Sequence, residues 1–270
     1  MDLVREQERQ TYRLCRLGFG ILSFALVVAC FTTLVSLPRH FGGRAFIPWL
    51  QNASWWLWVD APVVWGSLIG SYLLWGRWKH PSWQRRSGLL VVMGTVDALL
   101  WLIEHGQDLG LRMGDPGHHL LRYNLGQALG WAEFALIASL SCEVMVHLGI
   151  ERADETGRAT RSLATTGAVV WMLHFCLTTD WRRWPLGLNR LSIETLLLNL
   201  GFTMIWTITL IQVTALSIAA TRQCRGVVEE MNREDAENDP LTSTSEQDRR
   251  FSKEFVGQMG KRGPRHWEDD

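Results

Sequence analysis

Apolar stretches long enough to cross a membrane alternate with short polar segments along most of the chain. Because the hydrocarbon core of a bilayer is about 30 Å thick, a helix that spans it needs about 20 mostly apolar residues. Six segments meet this requirement, and each is predicted to be a transmembrane helix. We expect Pro38, which lacks a backbone N–H, to end the first of them. The segments run from Leu17 to Leu37, from Ser54 to Gly76, from Gly88 to His105, within Leu120 to Leu148, within Ser162 to Trp181, and from Leu191 to Thr221.

Polar segments at both ends of the chain flank these apolar stretches. The pattern therefore predicts an all-α fold, a multi-pass transmembrane bundle of about six helices. Residues 1–16 form a cytoplasmic N-terminal segment, residues 17–221 the transmembrane domain, and residues 222–270 a short, mostly disordered cytoplasmic tail. If one segment enters and leaves the membrane on the same side, the number of spans becomes odd.

The tail has two parts of different composition. Residues 224–241 are charged and contain few large apolar side chains, so we expect them to be disordered. Further along, apolar residues recur at helical spacing after a capping-box pattern, which predicts a short amphipathic helix near 246–259. A helix of this kind lies on a membrane surface or docks to a protein partner.

If the six segments cross the membrane in turn, lysine and arginine are more frequent in the segments on one side than in those on the other. Because basic loops are retained in the cytoplasm, we expect an integral protein of the cell membrane with both termini cytoplasmic. The loop Trp181–Trp184 is the exception, since it is as basic as an inner loop. The basic residues assigned to the inner side, besides those of the tail, are Arg5, Arg9, Arg13, Arg16, Arg77, Lys79, Arg85, Arg86, Arg152, Arg158 and Arg161.

Composition narrows the class of protein further. The chain has 27 Lys+Arg and 27 Asp+Glu, so it has no basic field that would attract nucleic acid. Its 5 cysteines lack the spacing of a metal site or a disulfide framework. The expected partner is the lipid bilayer, and soluble enzymes, DNA-binding modules and disulfide-rich secreted domains are excluded.

Tryptophan and glycine positions indicate where helices meet the interface and each other. Most of the 15 tryptophans fall near predicted span ends, which is typical of an aromatic belt at headgroup depth. Gly66–Gly70 and Gly126–Gly130 are both G-x-x-x-G segments. Small residues four apart allow helix backbones to approach closely, so the second and fourth helices are predicted to lie inside the bundle.

Ionisable and amide side chains within the spans are costly in lipid and indicate an interior polar region. On the third helix, the polar residues fall on one side at about 100° per residue, whereas the other side is mostly Leu, Val and Ile. Since most of these residues lie in the outer half of the membrane, we expect an outward-facing polar cavity lined by the second to sixth helices. The residues predicted to line it or to carry charge are Asp60, Asp97, Glu104, Glu133, His174 and Asn199.

The leading functional hypothesis is a small-solute or ion permease. Proton- or cation-coupled carriers bind charge at carboxylates near the membrane midplane, and Asp97 and Glu133 occupy such positions. Asp60, His174 and Asn199 would then line the pathway. No catalytic or phosphate-binding motif is present, so the sequence favours a protein that is not an enzyme.

Two other hypotheses remain open. His105, His119 and His174 supply imidazoles suited to a metal or haem, although their spacing matches no metal motif and the cofactor stays unknown. Alternatively, the protein is a membrane sensor, scaffold or assembly subunit that acts through its cytoplasmic tail.

Overall fold

All six predicted segments form helices in a computed structural model of the chain. The structure describes residues 2–40, 53–105, 119–150, 152–178 and 193–238. Those ranges contain six helices and no strand, so the all-α prediction is confirmed. The helices are α1 (Asp2–His40), α2 (Ala53–Leu74), α3 (Pro81–His105), α4 (His119–His147), α5 (Arg152–Thr178) and α6 (Ile193–Asn238).

Four of the described helices are long and apolar enough to cross a membrane. The candidate spanning portions lie within Leu3–Val35 of α1, Pro81–Ile103 of α3, Leu125–His147 of α4 and Leu200–Glu237 of α6. Length and composition thus support membrane integration.

One side of α3 is apolar and exposed along its length, as the sequence pattern predicted. Each of five large apolar residues on this side is at least 40% exposed, whereas Gly94 and Ala98 on the other side are buried. A continuous exposed apolar stripe of this kind suits contact with lipid chains rather than with water. The five residues are Leu89, Val92, Val96, Leu99 and Ile103.

Neighbouring helices run in opposite directions. Gly18 of α1 lies beside Gly70 of α2, whereas Ala25, further along α1, lies beside Gly66. Each later helix is likewise antiparallel to the one before it, so the six helices alternate up and down. The contacts that show it are Leu68–Gly94 and Trp75–Gly88, Asp97–Gly126 and Ser82–Glu143, Trp131–Gly167 and Cys142–Gly157, and Thr160–Gln212 and Trp171–Phe202.

Glycines permit the closest helix contacts. A Cβ at Gly70 would lie 2.7 Å from a carbon of Leu22 and 2.9 Å from the carbonyl oxygen of Gly18. At Gly130 it would lie 2.7 Å from the indole of Trp206. The G-x-x-x-G segment of α2 therefore permits a close backbone approach to α1, as its pattern predicted, whereas Gly130 of the α4 segment makes room for an indole ring.

Helix α1 is longer than the apolar pattern indicated. It begins at Asp2, and it continues through Pro38 instead of ending there. Residues 2–16 are polar but rich in Arg, Glu and Gln, which are good helix formers, so the helix continues outside the apolar segment.

The region after the last span also differs from the prediction. α6 continues to Asn238, so residues 224–238 are helical where disorder was expected. Arg233 and Glu237, four residues apart, form an ion pair of 3.0 Å that supports this helical turn. The chain divides into two compact units, Met1–Arg225 and Gly226–Asp270. The amphipathic helix predicted near 246–259 lies outside the described residues.

Candidate functional site

A cavity of about 170 Å³ lies inside the bundle, between α1, α2, α3, α4 and α6. Its wall is mostly aliphatic, aromatic or glycine, and four polar side chains project into this apolar surface. A water molecule occupies about 30 Å³ of liquid, so the cavity has room for a few waters or a small ion. The polar residues are Ser67, Asp97, Gln127 and Glu133.

Helix α4 positions the central carboxyl group. It packs against α2, α3, α5 and α6, which buries Trp131, Phe134 and Ile137 on several of its sides. Glu133 lies between these residues and is only 8% exposed. A carboxyl group at such a position has lost most of its contact with water. Whether it carries a charge therefore depends on the few protein groups around it.

The two oxygens of Glu133 have different surroundings. The hydroxyl of Ser67 on α2 donates a hydrogen bond of 3.1 Å to Oε2. Oε1 is buried and has no hydrogen-bond partner among the described residues. A buried acceptor without a partner costs free energy, so this oxygen favours binding a proton, a water or a cation.

Asp97 brings a second carboxyl group to the same cavity. It is half-buried on α3, with Oδ1 about 3.9 Å from the position that a Cβ on Gly126 would occupy. The carboxylate thus lies beside Gly126 of α4. Asp97 interacts electrostatically with Glu133, so the two acids act on each other inside one apolar enclosure.

The cavity lies away from the basic ends of the helices. Asp97 is 16 residues after Pro81, where α3 begins, and Glu133 is 14 residues before His147, where α4 ends, or roughly 24 and 21 Å along the helix axes. Its wall differs from the predicted one in including α1 and, within the described residues, excluding α5. The reason is that α5 packs on another side of α4, where Gly167 contacts Trp131.

The other predicted cavity residues are not brought to this site. Asp60 is half-buried on α2, two turns before Ser67, and is not part of the described cavity wall. The predictions for the side chains of Glu104, His174 and Asn199 lie outside the described residues.

Of the three histidines predicted as metal ligands, the structure describes the side chain of His105. Nδ1 of His105 lies 3.2 Å from the carbonyl oxygen of Trp101, and the two rings stack with centroids 4.9 Å apart. This side chain therefore engages its own helix. No group of three or more His, Cys, Asp or Glu suited to a metal occurs in the part of the chain that the structure describes. The side chains of His119 and His174 lie outside that part.

Sequence reasoning missed two polar residues of the cavity. Ser67 and Gln127 each follow the first glycine of a G-x-x-x-G segment, and both segments were interpreted only as packing motifs. The glycines at 66 and 70 contact α1, and Ser67, about 100° around the helix, faces α4 instead. The sequence did contain a signal for these two cavity residues, namely a polar residue inside a close-packing motif.

Tryptophans form an interior aromatic cluster in addition to any interfacial belt. Trp131 is fully buried, and its ring meets those of Phe134, Phe202 and Trp206 at centroid distances of 6.1, 5.4 and 4.9 Å. Trp171 joins through Phe202, at 4.6 Å. This cluster fixes α4, α5 and α6 together, and Trp206 also closes one side of the cavity.

No protein family, curated protein or solved structure matches the chain. The cavity and its two carboxyl groups are therefore the available basis for a function.

Proposed function

We propose that the protein is a permease with six membrane spans that moves a small solute or ion, using Asp97 and Glu133 to bind a proton or monovalent cation. The observation that carries the proposal is the buried carboxyl pair. Glu133 has one oxygen held by Ser67 and one without a described partner, and both acids face one small cavity. Ionisable groups inside a membrane are costly, so a binding role accounts for their presence.

The alternation of helix directions supports six spans rather than four. α2 lies antiparallel against both α1 and α3, and its residues 66–75 contact the spanning portions of both neighbours. α5 is likewise antiparallel to α4 and α6. A chain that crosses in α1 and again in α3 with the same direction must return between them, and α2 is the helix placed to do so.

The charge distribution supports cytoplasmic termini. The start of α1, the α2–α3 turn, the last turn of α4 and the part of α6 around Cys224 lie at one end of the bundle, which we call the basic end. Arginine and lysine concentrate there, for example at Arg13, Arg77, Lys79 and Arg158. Retention of basic segments in the cytoplasm then places this end inside the cell.

Repulsion between the two carboxylates supplies the mechanism. Two negative charges in a water-poor cavity repel each other strongly, and a bound proton or cation relieves that repulsion. Ser67 keeps Oε2 of Glu133 in place, which leaves Oε1 to receive the ion. Binding from one side and release to the other requires the helices to open the cavity alternately, as carriers do around a fixed site near the midplane.

Proteoliposome flux tests the proposal, with proton- and cation-sensitive dyes as readouts. We expect wild-type vesicles to pass a proton or a monovalent cation, and Asp97→Asn and Glu133→Gln each to reduce the flux about tenfold or more, a loss of about 1.4 kcal/mol in transition-state stabilisation. Glu155→Gln is the matched control, since Glu155 is an exposed acid at the start of α5.

Two outcomes would overturn the proposal. One is a wild-type flux no greater than that of protein-free vesicles for protons and for each monovalent cation. The other is full flux in the variant that carries both Asp97→Asn and Glu133→Gln. If Asp97→Asn unfolds in detergent, Asp97 has a structural role and Glu133→Gln alone decides.

A further inference from the structure

A second and larger pocket, of about 610 Å³, lies at the basic end of the bundle. The first turns of α1, the α2–α3 turn and the last turn of α4 form it. It shares no wall residue with the interior cavity. In the proposed function its residues served only to define the basic end of the bundle, so the pocket itself requires its own explanation.

Basic side chains reach this pocket from one short turn. Gly76 has a φ of 65°, a left-handed conformation that glycine adopts at little cost, and it turns the chain sharply after α2. Arg77, Lys79 and His80 then follow in the pocket wall. Nε of Arg77 donates a 2.9 Å hydrogen bond to the carbonyl oxygen of Leu73, which holds the guanidinium at the end of α2.

Two acids also line the pocket, and one of them is neutralised by α3. Glu143 accepts hydrogen bonds from Ser82 at 2.6 Å and from Arg86 at 3.2 Å, and His80 lies 3.5 Å away. Its charge is thus balanced from the helix next to it. The two positive charges of Arg77 and Lys79 then outnumber the negative charge of Glu8, the other acid in the wall, so the pocket favours an anion.

An aromatic and apolar side completes the pocket. Trp78 packs against Trp83 at 4.7 Å and His147 at 4.9 Å between ring centroids, and meets the edge of Tyr12 at 6.3 Å. Val4 and Val146 also line it and remain 73% and 45% exposed. Tryptophan and exposed apolar residues beside cations are what a site at the depth of lipid headgroups requires.

We infer that this pocket binds the phosphate headgroup of an anionic phospholipid from the leaflet at the basic end. Arg77 and Lys79 donate to the phosphate oxygens in charge-assisted hydrogen bonds. The acyl chains lie along the exposed apolar surface that includes Val146. Basic pockets between transmembrane helices on the cytoplasmic side are known to take lipid headgroups in this way. Free phosphate would use the cations but leave the apolar side uncovered.

Lipid titration of the full chain in detergent, followed by native mass spectrometry, tests this site. The probes are dioleoyl phosphatidylglycerol, dioleoyl phosphatidylcholine and inorganic phosphate. We expect phosphatidylglycerol to bind most tightly, and Lys79→Gln and Arg77→Gln each to weaken it about fivefold, the effect of one cation near a lipid phosphate. Arg85→Gln is the matched control, since Arg85 is exposed on α3 outside the pocket wall, and it should leave the affinity unchanged.

Each remaining outcome overturns the inference. Equal affinity of wild type and Lys79→Gln for phosphatidylglycerol would show that the lipid binds elsewhere. Phosphatidylcholine binding as tightly would show that net headgroup charge is not recognised. Displacement of the lipid by inorganic phosphate at equal concentration would identify a free-phosphate site. If Arg77→Gln fails to fold because its bond to Leu73 is lost, Lys79→Gln, at an exposed position, still decides.

Discussion

At the scale of single residues, Glu133 is the position where stability and function make opposite demands. Its carboxyl group is buried, and Oε1 lacks a described partner. A neutral side chain of the same shape would relieve the cost of burying charge while keeping the hydrogen bond, because a glutamine oxygen also accepts from Ser67. Retention of an acid at a site where an amide fits better is what a binding role explains.

Glu133→Gln should therefore leave the thermal unfolding temperature unchanged or raise it. We expect the free energy of unfolding to stay the same or to rise by up to about 1 kcal/mol, since an amide cannot carry the charge whose burial is costly and the Ser67 contact stays. Differential scanning fluorimetry in detergent measures this directly. A large fall in unfolding temperature would instead show that the ionised carboxylate holds α2 and α4 together.

The residues that sequence could and could not identify differ in the range of their contacts. Asp97 was placed on an inward side from the 3.6-residue period of its own helix, which is local information. That Asp97 and Glu133 share one cavity, and that Ser67 bonds to Glu133, depends on how three helices pack. The sequence pattern made no specific prediction for Trp131, which lies in the core because its neighbours across α5 and α6 are glycine and aromatics.

At the scale of elements, the sequence indicated where helices pack together more clearly than where each helix begins and ends. The apolar pattern measures the depth of the bilayer, so it cannot show that α1 and α6 continue as helices into the polar segments. The G-x-x-x-G segment of α2, in contrast, indicated a close approach. The structure supplies its partner, since Gly70 meets the backbone oxygen of Gly18 on α1.

Gly70→Ala should separate α1 and α2 and destabilise the bundle. The added methyl group would lie 2.9 Å from the oxygen of Gly18, and a backbone atom cannot rotate away as a side chain does. Overpacking of this kind costs about 1–3 kcal/mol. Gly201→Ala is the control, because no atom of the described residues lies within 4 Å of a Cβ at that position and alanine favours the helix. Equal unfolding temperatures for the two variants would contradict the packing argument.

At the scale of the whole molecule, the alternation of six helices links the topology to both proposed sites. Up-and-down threading brings the basic turns to one end, where the 610 Å³ pocket lies, and leaves the carboxyl pair deeper in the bundle, roughly 20 Å from that end. Both assignments depend on α2 crossing the membrane. If α2 did not cross, the turn that carries Arg77 and Lys79 would lie on the same side as the segment after α1.

Thiol accessibility in intact cells separates these two topologies. In a variant with the five native cysteines replaced, Lys79→Cys should resist a membrane-impermeant maleimide until the cells are permeabilised, whereas Arg44→Cys should react at once. The reason is that Lys79 follows α2 at the basic end and Arg44 precedes α2. Reaction of both cysteines in intact cells would show that α2 does not cross. In that case the turn could not meet the first turns of α1, so the lipid pocket would be overturned as well.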